Sequence, residues 1–171
     1  MTFLELAKAR YSVRAYDPRP IEDEKLEQIL EAGHVAPTAR NLQPQKIFVA
    51  KSEEARQKLA SVCECTFSAP VVLVICYDNT KSWKNTLMPP YQSGETDASI
   101  ITTHMMLQAA ELGIGSCWVG RFNAQQVAEV LDLPETLTVS ALMPMGYPAE
   151  NAVPSGNHTK FRPLEETVQF I

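Results

Sequence analysis

Seven consecutive residues, Val71 to Tyr77, read Val-Val-Leu-Val-Ile-Cys-Tyr with no polar interruption. β-Branched side chains favour extended backbone, and a strand without polar alternation has no face to give to water. Such a strand is buried on both sides, so the chain must supply a covering layer above it and another below. Ala98 to Leu112 makes a second demand. Ile100, Ile101, Met105, Met106, Leu107, Ala109 and Ala110 ring that segment on nearly every side, which predicts a central helix rather than a surface one.

The remaining elements are read by their ends. Thr2-x-x-Glu5 is a capping box that opens a helix running to about Arg10. Glu22, Asp23 and Glu24 put negative charge at the start of a second helix, whose apolar stripe is Leu26, Ile29, Leu30 and Gly33 and which cannot continue past Pro37. Lys46 to Ala50 reads as a short strand and Glu53 to Val62 as an exposed helix. Ser82 to Glu95, with Pro89, Pro90 and Gly94, reads as a loop. Gly113 and Gly115 end the central helix, and Ser116 to Val119 reads as a strand. Asn123 caps a helix to Leu131, Leu137 to Met145 is the last strand, and 148–163 is irregular. Helices and strands interleave throughout, without repeats. The class is α+β, and 171 residues suit a single domain spanning 1–171.

Composition excludes more than it selects. Apolar residues at 45% and charged residues at 20% are those of a folded globular chain. A net charge of −5 makes general affinity for nucleic acid or anionic membrane a poor expectation. The longest apolar run is far too short to cross a bilayer, and the N-terminus shows no secretory signal, so a cytoplasmic location is expected. Cys63, Cys65, Cys76 and Cys117 fit that address. Cys63 and Cys65 are spaced C-x-C, no second pair follows, and His34, His104 and His158 stand at no metal-ligand spacing from them. They read as small buried hydrophobes. His34 and His104 lie on apolar helical patterns and read as core histidines.

Two local charge clusters stand out in this acidic chain. Lys8, Arg10, Arg14 and Arg19 face a single acid, Asp17, and Lys160 and Arg162 lie in an acid-free stretch. A pair of basic clusters suits an oxyanion such as phosphate, which guanidinium groups bind bidentately, although solvated surface charge explains the clusters equally simply. Gly113-Ile-Gly115 follows a helix and opens a strand, the reverse of a dinucleotide fold, and no P-loop occurs. Ser12, Ser116 and Ser140 have no evident histidine base. With no side-chain constellation for catalysis, any enzymatic chemistry points to a cofactor.

Four stretches, in order, resemble the FMN-dependent nitroreductase family. They are Arg10-Tyr-Ser-Val-Arg14 with Tyr16 and Pro20, then Ala36-Pro-Thr-Ala-Arg-Asn-Leu-Gln-Pro44, then Leu112-Gly-Ile-Gly-Ser-Cys-Trp-Val-Gly120, then Lys160-Phe-Arg-Pro-Leu-Glu-Glu166. The resemblance implies a central, mostly antiparallel sheet wrapped by helices and an intertwined homodimer with FMN at the subunit interface. It implies that Arg10, Tyr11, Ser12 and Arg14 bind the flavin's phosphate and pyrimidine sides and that Lys160 and Arg162 complete the phosphate site. Pro37, Thr38, Ala39 and Asn41 resemble the loop that reaches the flavin from the partner, and Val119, Gly120 and Arg121 the strand end beside its ring. Tyr11 replaces an arginine of many relatives, and Gln45 an aromatic residue. Trp83 and Tyr91 are expected in a variable wall over the flavin, where the substrate binds. The activity implied is reduction of nitroaromatics, quinones or related acceptors by NAD(P)H, in ping-pong order through flavin N5. Two alternatives are a flavin carrier or redox sensor without turnover, and an interaction protein whose central helix serves only dimerisation.

Overall fold

A computed structural model describes residues 1–171. Its helices are α1 (Phe3–Ala9), α2 (Asp23–His34), α3 (Glu53–Val62), α4 (Gly94–Glu111), α5 (Ala124–Val130) and α6 (Leu164–Thr167). Its strands are β1 (Gln45–Ala50), β2 (Val71–Asp78), β3 (Gly115–Ser116) and β4 (Leu137–Gly146), paired in the order β1-β2-β4-β3 with every ladder antiparallel.

The apolar run does what its pattern demands. All of Val71 to Tyr77 is buried, and alternation divides the side chains between two cores. Leu73, Ile75 and Tyr77 turn to α2 and α4, where Ile29, Ile101, Met105 and Met143 meet them. Val72, Val74 and Cys76 turn to α3 and α5, against Leu59, Val127 and Leu142. Each such side chain contributes about 1.5–3 kcal/mol on burial, so the two layers need one another through β2. The capping box of Thr2 and Glu5 forms as its spacing predicts, and Asn123 accepts from the Gln125 and Gln126 N–H groups.

Three expectations are corrected. α4 starts at Gly94, not at Ala98: Asp97 is buried and accepts from the Ser93 hydroxyl, which anchors the first turn. The strand expected over Ser116–Val119 is only Gly115–Ser116. Its next partner would be Pro144, which has no N–H to donate, so the ladder thins to Cys117 N–H on the Pro144 carbonyl and an isolated bridge from Val119 to Leu142. His34 and His104 are exposed rather than core residues, because the apolar faces of α2 and α4 that enter the core lie opposite them.

Candidate functional site

The first basic cluster is fixed by backbone. Arg10 ends α1 in extended conformation, its N–H still on the Leu6 carbonyl. The chain then runs beside β3: Ser12 bridges Ser116 in parallel, and the Val13 N–H donates to the Ser116 carbonyl at 3.0 Å. Gly115 permits that approach, since a Cβ there would stand 2.6 Å from Val13 Cγ2. Arg14 reaches back, Nη1 to the Ser12 carbonyl at 3.1 Å.

The C-terminal segment is laid along the same strip. The Ala149 N–H donates to the Ala15 carbonyl, the Tyr11 hydroxyl to the Ala152 carbonyl at 3.4 Å, and the Tyr11 and His158 rings meet edge-on at 6.1 Å. Lys160 is two residues beyond His158 and Arg162 four, so chain reach holds them within about 7 and 14 Å of it. Arg10, Arg14, Lys160 and Arg162 take part in none of the ion pairs, which join only Lys25 to Glu22, Lys51 to Asp23, Lys58 to Glu54 and Lys81 to Asp78. Burial pushes the Cys117 thiol up against the opposing pull of Arg14 and of a Ser12 hydrogen bond. Burial, with Cys117 next, also raises the Tyr16 phenol, and Arg14 again opposes it. Ser12, Arg14, Tyr16 and Cys117 thus share one electrostatic neighbourhood.

From Ser116 the chain runs along β4 toward the middle of the sheet. Val119 is buried on Leu142, while Gly120 and Arg121 are exposed. A Cβ on Gly120 would meet nothing within 4 Å, so the sheet edge there is open.

The other expected residues lie elsewhere. Ala39 to Asn41 form a 3-10 turn whose Ala39 N–H donates to Asp97 Oδ1 at 2.8 Å. Pro37 and Asn41 are exposed, and Thr38 and Ala39 half-buried. Arg40, Asn41 and Gln43 all have positive φ, near 50°, an arrangement that costs energy and persists only where neighbours hold it. Asp97 is one such holder, and the Thr38 hydroxyl, accepting from the Gln43 N–H, is another. Trp83 and Tyr91 sit on a narrow loop closed by the Lys84–Gln92 bridge. The Trp83 carbonyl accepts from the Ser93 N–H, and the Tyr91 hydroxyl lies 3.2 Å from Thr96 Oγ1.

Apart from Val119, Gly120 and Arg121 on the sheet edge, the expected site residues therefore fall into two groups, one joined to each end of α4. Asp97 is in its first turn, and Ile114, which leads into β3, follows its last. Thirteen residues at 1.5 Å rise separate Asp97 from Ala110, about 20 Å. Within one chain the structure brings Tyr11 to the C-terminal arm, with Arg10, Ser12 and Arg14 on the same strip, and joins both Pro37–Asn41 and the Trp83–Tyr91 loop to the start of α4, through Asp97, Ser93 and Thr96, but does not bring the two groups together. Asp97 and Gly115 were missed as organisers. A carboxylate one residue before the apolar run that begins at Ala98 was the available signal for the first.

Comparison with known proteins gives a consistent answer. The family model described as "Nitroreductase family" matches residues 7–68 and 63–147. A crystal structure of a nitroreductase family protein from Clostridium difficile 630 superposes with a TM-score of 0.93 at 39% identity, covering 99% of this chain and 98% of that one. The NADPH-flavin oxidoreductase of Vibrio harveyi is 31% identical over 161 residues, 86% of this chain and 66% of the relative. The FMN reductase [NAD(P)H] of Bacillus subtilis is 27% identical over 158 residues, 82% of this chain and 64% of the relative.

Proposed function

Because this chain belongs to the nitroreductase family, we propose that residues 1–171 form one FMN-binding oxidoreductase unit that uses NAD(P)H to reduce nitroaromatics, quinones or related acceptors. Relatives named as an NADPH-flavin oxidoreductase and an FMN reductase support this reading. The observation that carries it is the set of unpaired cations, Arg10 and Arg14 with Lys160 and Arg162 on the adjoining arm, beside an open sheet edge. Cationic groups without acidic partners keep their hydrogen-bonding capacity for a ligand, and guanidinium forks fit phosphate.

The residues present suit FMN. Arg10, Lys160 and Arg162 would hold the phosphate, with Ser12 beside it, and Tyr11 fixes the arm that carries Lys160. Arg14 would face the pyrimidine edge, where a guanidinium stabilises negative charge. The exposed edge from Val119 through Gly120 to Arg121 leaves room for a flat ring, since nothing blocks the Cβ position of Gly120. Bound FMN supplies the hydride-accepting and hydride-donating ring. The protein's part is binding, orientation and shielding from water. One exposed face serves donor and acceptor in turn, which gives ping-pong kinetics.

The second group of residues belongs to a partner copy in this reading. Pro37, Thr38, Ala39 and Asn41 are tied to the first turn of α4 through Asp97, about 20 Å along the helix from Ala110, and the basic strip begins beyond that far end, so the loop is assigned to the partner's ring. An antiparallel pairing of two α4 helices brings each loop to the other chain's basic end. Apolar surface for such pairing is present on Phe3, Leu6, Val35 and Leu107, and on the exposed Phe161 and Phe170 of the arm. Trp83 and Tyr91 would then wall the acceptor side. No helix is long and apolar enough to cross a membrane, and four free cysteines suit a reducing cytoplasm.

The test is the visible spectrum of the purified protein, before and after adding NADH or NADPH and then a quinone or nitroaromatic. Flavin bands that bleach with the nicotinamide and return with the acceptor are expected. A protein that is colourless and takes up no added FMN would overturn the reading. Bound flavin that NAD(P)H does not bleach would instead mark a carrier or sensor.

A further inference from the structure

The Arg56 guanidinium, on α3, makes no hydrogen bond or ion pair. Its Nε is buried without a hydrogen bond, and it pairs with no carboxylate. A buried guanidinium N–H left without an acceptor is costly, and here that donor is Nε. Arg56 lines a cleft of about 310 Å³ together with Lys51 and Ser68, walled by Pro18, Pro20 and Pro70. It also lines a second cleft of about 230 Å³, which again includes Ser68 and adds Thr66. Arg56 and Ser68 thus stand on the boundary between two openings.

The nearby acids favour the first cleft over the second. Asp23 is held by Lys51, whereas Glu53, on the second cleft, accepts only from the neutral Gln57 amide at 2.9 Å and keeps its charge, so an anion is favoured in the first cleft, on the Lys51 side of Arg56. Phe67 and Ser68 both adopt positive φ, and this turn sets Ser68 at the boundary of the two clefts. The cleft is also separate from the basic strip described above. It opens beside Val71 on β2, whereas Ser12 adjoins β3, two strand spacings or about 10 Å across the sheet, with β4 between.

We propose that this cleft is a second anion site, taking a phosphate group on the Arg56 guanidinium with Lys51 and Ser68 completing the contacts. Its chemistry requires a tetrahedral oxyanion with room behind it, so both inorganic phosphate and a phosphate monoester on a nucleotide satisfy it. Proline walls bring no competing donors.

The test uses FMN-saturated protein, so that the flavin's own phosphate site is filled, titrated calorimetrically with inorganic phosphate and separately with AMP. Saturable binding in the low millimolar range or tighter is expected. Arg56→Met should weaken it at least tenfold, as loss of a charge-assisted bond does, and Lys81→Met, which lies outside both clefts, should leave it unchanged. If Arg56→Met does not fold, Arg56→Lys and Lys51→Met carry the test, each weakening phosphate severalfold. AMP binding well above phosphate would assign the cleft to a nucleotide ester, and equal binding to free phosphate. The proposal is overturned if neither probe binds the loaded protein saturably, or if the Arg56 variants that fold titrate like the parent.

Discussion

At the C-terminal end of α4, Arg10, Ser12 and Arg14 are positioned by main-chain contacts, and their cationic groups meet no acid. At the N-terminal end, polar groups are consumed internally: Asp97 takes the Ala39 N–H and the Ser93 hydroxyl, and Thr38 takes the Gln43 N–H. One end keeps its hydrogen-bonding capacity for something outside the chain. The other uses that capacity to hold three residues in left-handed backbone. Substitutions at the first end should therefore alter binding and spare stability, and substitutions at the second should act first on stability.

The largest effect is expected from Asp97→Ala. It leaves two donors at a buried position, at about 1–3 kcal/mol each, and releases the strained loop. Urea denaturation at fixed protein concentration should show that loss, and amide exchange at Ala39 should accelerate. A parent-like midpoint would remove Asp97 as the organiser of that end. Next is Arg14→Ala. Loss of a charge-assisted bond to FMN, about 1.5–3 kcal/mol, should weaken the flavin roughly 10- to 150-fold. Apo stability should stay within about 0.5 kcal/mol, as for other exposed substitutions. If Arg14→Ala unfolds the protein but binds FMN normally, the contrast between the ends is wrong. Thr2→Ala is smaller, about 1 kcal/mol through the lost cap of α1. Because α1 delivers Arg10, a modest fall in FMN affinity should accompany it in equilibrium titration.

The same contrast governs what the sequence made legible. Val71–Tyr77, the Thr2 and Asn123 caps and the α2 stripe were readable because each depends on local spacing, and the basic residues were readable because charge without counter-charge is visible in one dimension. Asp97 was not, since its role comes from Ser93 and from Ala39, 58 positions away. The shortening of β3 was hidden for a similar reason: it depends on Pro144 lying opposite Cys117 across the sheet. Arg56 looked like any surface arginine until the 66–70 turn closed over it.

The smallest response is to pH in the neutral range, and there the two ends should behave alike. Burial pushes the Cys76 thiol from 9.0 up to about 12 and raises Cys117 and the Tyr16 phenol as well. The folded chain holds these protons more tightly than the unfolded one. Stability is therefore complete below the unfolded thiol value and falls as pH climbs from about 9 toward 12. On the acid side, hydrogen bonds from Thr80 and then the pull of Lys81 lower Asp78, so its contribution is lost only as pH falls below its ordinary range. The urea midpoint should thus be flat between about pH 6 and 8 and decline in alkali, less steeply in Cys76→Ala. The ends part company only at Cys117, where Arg14 opposes the upward push of burial. In Arg14→Ala the thiolate absorbance of Cys117 should appear at higher pH than in the parent. An unchanged titration would mean that the guanidinium does not face this neighbourhood, and with it the basic end would lose the residue that most distinguishes it from the other.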